Sequence, residues 1–177
     1  MNAAAARNAP TLRGRRLAFA WLLAAAAPLA AALEAPTGKV LLTVTGQIAQ
    51  RNSPEGAQYD LAMLEKLPQT SYKTRTPWYN EPRKFTGVRL RDLLASLGAQ
   101  GRTPVSAEAI NDYRATIPPE DWVDHDMLIA WRLDDEPMAV RDKGPLVIMY
   151  PFDAEPKLRN AVRYGRAVWQ LRRIDVR

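Results

Sequence analysis

Residues 128–153 constrain this chain more than any other stretch. Leu128-Ile129-Ala130-Trp131-Arg132-Leu133 is strand-like, Asp134-Asp135-Glu136 is an acidic turn, and Pro137-Met138 begins a return strand. Beyond Arg141-Asp142-Lys143-Gly144, a continuous apolar run over 145–150 stops at Pro151. Such a run suits a central strand covered on both faces. The stretch therefore reads as two strands around an acidic turn, followed by a buried strand that ends at a proline.

The first 32 residues form a targeting segment and leave the fold argument. Arg7, Arg13, Arg15 and Arg16 make a positive start, residues 17–27 are apolar, and Ala30-Ala31-Ala32 offers a small-residue cleavage site. The apolar run 17–33 is interrupted by Pro28 and falls short of the ~20 residues a spanning helix needs. Cleavage near Ala32 and delivery to the periplasm are expected. The Arg15-Arg16 pair fits a twin-arginine signal poorly, so Sec export is the reading.

Removing that segment takes away four arginines and no acid, leaving 21 Lys+Arg against 19 Asp+Glu. The basic balance belongs largely to the discarded piece. Without a basic stripe there is no footprint for nucleic acid. The remaining residues 33–177 amount to one domain with a core of its own.

The chain has no cysteine. That excludes a thiol nucleophile, a thiolate zinc site, c-type haem attachment and dithiol chemistry, and it leaves an exported domain to rely on packing alone. His125 is the only histidine, so two-histidine metal sites are impossible and any catalytic triad would have to use it. Flanked by Asp124 and Asp126, it reads as a surface or structural residue.

Along residues 33–177, Val40, Leu42 and Val44 alternate with polar neighbours and predict a half-buried strand. Ser53-Pro54-Glu55 predicts a helix start, with Leu61, Leu64 and Leu67 continuing at helical spacing to Pro68. Residues 69–78 read as a strand and 79–84 as a polar loop. Leu90, Leu93, Leu94 and Leu97 recur at helical spacing before Gly98, the clearest amphipathic helix. Val105, Ala107 and Ala109 share one strand face, and Asn111 and Tyr113 lie on the same parity if the strand continues. Ile117-Pro118-Pro119-Glu120-Asp121 opens a short helix or turn. At the end, Trp169 and Leu171 fall on one parity and Ile174 and Val176 on the other, which a bulge near Arg172-Arg173 reconciles. The sum is an α+β domain with a mixed sheet and short helices.

Three blocks carry a resemblance to a known family: Gly87-Val88-Arg89-Leu90-Arg91-Asp92-Leu93-Leu94 with the strands before it; Ala109-Ile110-Asn111-Asp112-Tyr113 with Ile117-Pro118; and Asp142-Lys143-Gly144-Pro145-Leu146 with Tyr150-Pro151. In this order, ahead of Trp169-Gln170-Leu171-Arg172-Arg173-Ile174, they resemble the molybdopterin-binding domain of the sulfite oxidase family. The resemblance implies a mixed α+β sheet whose loops enclose a pterin. In the family's enzymes a cysteine thiolate shortly before the Gly-Val helix holds molybdenum. Here that region reads Thr74-Arg75-Thr76-Pro77-Trp78, and a hydroxyl replaces soft sulfur donation poorly. A tetrahydropterin-like ligand without the molybdenum cofactor is therefore expected, with no catalytic and no metal-binding residue. Similarity to short, exported, cysteine-free members implies that the bound state is passed to the periplasmic sensor of an inner-membrane cyclic-di-GMP enzyme. The rivals are a molybdopterin-dependent oxidoreductase, or a subunit of one, and a domain that only docks a protein.

A pterin receptor needs an aromatic or guanidinium face for stacking and an amide or carboxylate for the amino edge. Arg75, Trp78 and Tyr79 follow the vacated ligand region and offer faces, though Trp78 serves equally well as core. Asn111, Asp112 and Tyr113 bring amide, carboxylate and phenol together, or else cap a turn. Arg141, Asp142 and Lys143 precede Gly144, where backbone can approach a ligand, or form a solvated loop. Trp131 and Trp169 read as core. Arg163, Tyr164 and Arg166 suit the rim of the site or a partner.

Overall fold

Residues 33–99 and 101–177 are described by a computed structural model, so the expected export segment lies outside the described residues. Among these, two five-stranded sheets carry the fold. The first orders β2 (Ala57–Tyr59), β1 (Leu42–Gly46), β10 (Leu171–Val176), β5 (Val105–Ala109) and β6 (Arg114–Ile117). It is mixed: β1 and β10 run parallel and the other pairs antiparallel. The second is antiparallel and orders β3 (Gln69–Thr76), β4 (Tyr79–Arg89), β7 (Leu128–Leu133) and β8 (Glu136–Pro137), with β9 (Val147–Met149) also on β7. Short helices α1 (Leu61–Glu65), α2 (Leu90–Ser96), α3 (Pro119–Asp124) and α4 (Ala161–Arg166) complete it. No helix among the described residues is long and apolar enough to cross a membrane.

The core joins both sheets. Leu42, Val44, Val105, Ala107 and Ile174 from the first meet Phe85, Val88, Ile129 and Ile148 from the second, with Leu90, Leu93 and Leu94 of α2 between other buried residues. The segment 168–171 stitches the sheets together: Ile148 N donates to Val168 O and Leu171 N to Leu146 O, each at 2.9 Å. β9 is thereby flanked on both edges, and its three residues are buried as the apolar run demands. The register of β10 against β5 shifts between Leu171 and Arg173, the bulge that the change in hydrophobic parity requires.

Three expectations are corrected. Ser53 does not start a helix; it closes a tight turn on Gly56, with its hydroxyl donating to Gly56 O at 3.0 Å, and β2 follows. The helix begins only at Leu61, where Asp60 accepts from Met63 N at 2.9 Å and caps the first turn. Residues 79–84 are strand, because β3 turns back at Pro77-Trp78 and pairs Thr76 with Tyr79. Pro82 is no obstacle to this strand; it falls where the register shifts, and there its missing N–H leaves no ladder bond unmade. Finally, β5 ends at Ala109 and the chain reverses through 110–113, with Asp112 at φ 65°.

Candidate functional site

A cavity of about 270 Å³ opens where the β3–β4 turn, the 109–113 turn, α4 and the seam before β10 converge, lined by Trp78, Asn111, Tyr113, Tyr164, Trp169 and Gln170 with the small residues Ala109, Gly165 and Ala167. Trp78 and Trp169 meet edge to face at 4.9 Å and 83°, and Trp78 meets Tyr164 at 5.9 Å and 78°. In a perpendicular pair the edge of one ring covers only one face of the other, leaving the opposite face free of its partner. Tyr79 extends the row from Trp169, and Phe152 extends it from Tyr164 to Tyr150.

The row ends on a buried charge. Asp121 on α3 is fully buried and accepts from Tyr150 Oη at 2.9 Å, Arg166 Nη1 at 2.6 Å and Arg163 Nη2 at 3.3 Å. Burial first, and then the Asp121 charge, hold the Tyr150 phenol far above its ordinary titration range, so it stays a donor. Asn160 caps α4 by accepting from Arg163 N. The two arginines bind α4 to α3, and Tyr113 Oη donates to Gly165 O at 2.7 Å. Together these contacts set the wall that Tyr164 and Gly165 present.

Two amide side chains give this aromatic box unused polar capacity. Trp169 Nε1 has no acceptor, but it is sealed within the wall and out of reach of the cavity. Asn111 Oδ1 accepts from Tyr113 N at 3.3 Å, leaving its amide N–H groups. Gln170 Nε2 donates to Val140 O at 2.8 Å, leaving its carbonyl oxygen. The box thus combines stacking faces, donors and an acceptor, with no ionised side chain among its lining residues.

The sequence candidates separate in the structure. Trp78, Asn111 and Tyr113 line the cavity together. Asn111 and Tyr113 share its side through the reversal at 110–113 rather than through a continued strand. Asp112 leaves the group: its carboxylate pairs with Arg172 at 2.7 Å on the far side of the turn, because its left-handed backbone swings the side chain outward. Tyr79 backs Trp169 and carries Arg83 over its ring at 4.9 Å. Burial, partly offset by that guanidinium, raises its phenol.

Lys143 reaches the box from outside, with Nζ 5.4 Å from the Trp169 ring centre. Arg141 and Asp142 face solvent and each other. Gly144 makes a close approach to the Met138 carbonyl, where a Cβ would collide. Arg75 lines a neighbouring cavity. His125 hydrogen-bonds through Nδ1 to Glu155 Oε1 at 3.0 Å, a structural pair.

Trp169, expected in the core, is a wall of the cavity, and Gln170, at φ 52°, joins it although its residue type gives no hint of a site. The available signal is the parity break in 168–176, which marks a departure from regular strand just where the chain crosses between sheets.

A family profile described as the oxidoreductase molybdopterin binding domain matches residues 39–153. The chain belongs to that family. No curated protein matches the sequence. Among solved structures, the sulfane dehydrogenase SoxCD from Paracoccus pantotrophus superimposes with a TM-score of 0.58 at 16% identity, over 76% of this chain and 37% of that one. The likeness shows the sulfite oxidase-like molybdopterin-binding fold. This chain spans little more than a third of SoxCD's length. Tyr164, Gly165, Ala167, Trp169 and Gln170 all lie beyond the matched residues, so more than half of the cavity wall is built outside the profile.

Residues 74–76, where the resemblance to the family's enzymes would put the metal ligand, carry donors that do not fit molybdenum. Thr74 is buried with its hydroxyl accepting from Asp153 N at 3.0 Å. Thr76 Oγ1 accepts from Trp78 N at 3.4 Å. Between them Arg75 presents a cation. Hydroxyls occupied by backbone hydrogen bonds and a guanidinium are not donors for a soft, thiolate-seeking centre.

Proposed function

We propose that this domain binds a reduced pterin as a ligand and performs no molybdenum chemistry. The observation that carries the reading is the aromatic box. Its ring faces and spare Asn111 and Gln170 amide groups are the complement of a flat heterocycle with a polar edge, and they lie beside a ligand position occupied by Thr74-Arg75-Thr76. A cavity of about 270 Å³ suits a ligand smaller than the drug-sized molecules of larger pockets.

The domain is exported to the periplasm after cleavage near Ala32, as a cysteine-free branch of its family. It relays the bound state to the sensor of an inner-membrane cyclic-di-GMP enzyme. Supporting this are the arginine-then-apolar start of the chain and the absence of cysteine. The family's own description favours a second reading, a molybdopterin-dependent oxidoreductase or a subunit of one.

One preparation separates the two. Protein purified from a cofactor-producing host is analysed for molybdenum and for small molecules released on denaturation. A pterin without stoichiometric molybdenum is expected. One molybdenum per chain would overturn the proposal in favour of the oxidoreductase.

A further inference from the structure

The second sheet ends on β3, which among the described residues pairs only with β4. With eight residues it is the longest strand at a sheet end; β2, β6 and β8 have three, four and two. Its register against β4 is unbroken from Gln69 to Thr74. Lys84 on β4 fixes the direction of its free groups. Asp134 N donates to Lys84 O and Lys84 N to Asp134 Oδ1, each at 2.8 Å, so the backbone of Lys84 faces the β7 side and away from β3. Lys73, its cross-strand partner, therefore occupies a non-hydrogen-bonded position and turns its own N–H and C=O out of the sheet. Ser71 does the same by alternation, and neither residue makes a backbone hydrogen bond outside the strand. Arg75 has the same parity, and its N–H donates to Asp153 Oδ2 at 3.1 Å. Asp153 closes the edge there, and residues 69–73 stay open.

The side chains along the open stretch divide by face. Gln69, Ser71 and Lys73 are exposed on one side, while Thr70 and half-buried Tyr72 lie on the other, with Tyr72 packed against the core. Lys73 makes no ion pair, because Lys84 opposite it takes Asp135 at 2.7 Å. Two lysines thus stand across the closer kind of antiparallel pair, an unfavourable arrangement that one more acid would relieve. A free edge of this length is a template for another strand, and bulges, prolines or charges are the usual guards. Residues 69–73 contain no bulge and no proline, and Lys73 is their one charge. It turns away cationic strands and selects an acidic one.

We propose that β3 is a docking edge for an extended acidic segment of a partner protein, which adds a strand to the second sheet. The segment's backbone pairs with Ser71 and Lys73. An Asp or Glu side chain stands opposite Lys73, and the alternate, apolar side chains lie beside Thr70 and Tyr72. A second copy of this chain is a poor occupant, because residues 69–76 hold Lys73 and Arg75 and no acid. None of residues 69–73 lines the aromatic box, so this surface goes beyond the pterin reading and does not depend on it.

The purified chain is mixed with a capped peptide of about seven residues alternating glutamate and valine, or with its lysine–valine counterpart. Amide hydrogen exchange should slow at Ser71 and Lys73 with the glutamate peptide only. Lys73→Glu should weaken that peptide about tenfold and let the lysine peptide bind, as charge complementarity demands. Ser71→Pro removes an edge donor without touching the β3–β4 ladder. It should melt like the wild type and abolish the protection at Lys73; if it melts early, the charge reversal carries the test alone. Equal binding of the two peptides, no protection at 71–73, or protection that survives Lys73→Glu would overturn the docking edge. Self-association of the peptide-free chain in sedimentation, relieved by Ser71→Pro, would overturn it in favour of a second copy.

Discussion

The outer face of the first sheet carries the larger cavity, about 530 Å³ around Glu108, Arg114, Arg172 and Arg173, nearly twice the volume of the aromatic box. Its charges are already spent on one another. Glu108 pairs with both Arg172 and Arg114, Arg172 also holds Asp112, and Arg173 lies 3.8 Å from Glu55. The Arg172 hydrogen bond foremost holds the Glu108 carboxyl below its ordinary range. The aromatic box is smaller, yet its Asn111 and Gln170 amides have capacity left over. A ligand gains most where the protein has left polar groups unmet, and least where bringing it in would break ion pairs already made. Unspent chemistry, more than volume, marks the site.

The largest expected effect tests whether the box depends on the buried charge beneath it. Asp121→Asn leaves Arg163 and Arg166 without their carboxylate. Breaking a buried pair costs ~3–5 kcal/mol, and because both arginines are partly exposed the lower end, about 3 kcal/mol, is expected in denaturant unfolding. Pterin affinity should fall with it. A variant as stable as the wild type would mean that α4 is held by packing alone.

Next, Asn111→Ala removes the amide N–H groups left unused at the box. Pterin affinity should drop about fivefold, the ~1 kcal/mol of one hydrogen bond. Asn111 is exposed, so stability without ligand should change little. Unchanged affinity would remove the sharpest difference between the two cavities.

A smaller effect is expected on the outer face. A carboxyl whose folded pKa is depressed stabilises the protein above its unfolded pKa, about 4.3, and loses that contribution as pH falls through the folded value. Glu108→Gln should therefore lower the melting temperature at pH 7 by about 2–4 °C, the shift of ~1 kcal/mol in a domain of this size. The deficit should narrow as the buffer is taken to pH 3. A deficit independent of pH would point to packing instead of charge. Smallest of all, Asp112→Ala should leave pterin affinity within twofold, because its carboxylate belongs to the outer network; a tenfold loss would move the ligand across the 110–113 turn.

Much of the fold is legible in the chain because its signals are local and periodic. The amphipathic helix at 90–97, the hairpin around Asp134-Asp135, the apolar run that forms β9 and the bulge at Arg172 each follow from side-chain spacing within a dozen residues. The failures are equally local in cause. Ser53 has the chemistry of a helix cap, but Gly56 takes its hydroxyl, and Pro82 has the chemistry of a loop, but a register shift tolerates it in a strand. In the site, the aromatic and amide candidates Trp78, Asn111 and Tyr113 are visible as residue types with matching chemistry. Asp112 is equally suitable as a type, but in its left-handed backbone it pairs with Arg172 and does not line the cavity.

By itself, then, the sequence settled the α+β class, the family blocks, the absence of any thiolate and the positions of most strands, since these depend on composition and on patterns short enough to read along the chain. Tertiary structure alone decided which side chains converge. Trp78, Asn111, Tyr164, Trp169 and Gln170 span more than ninety positions, and they meet because segment 168–171 crosses from one sheet to the other while Asp121 draws α4 against α3. Convergence of that kind depends on how two sheets pack and where a buried charge finds its partners, and neither quantity has a period in the sequence.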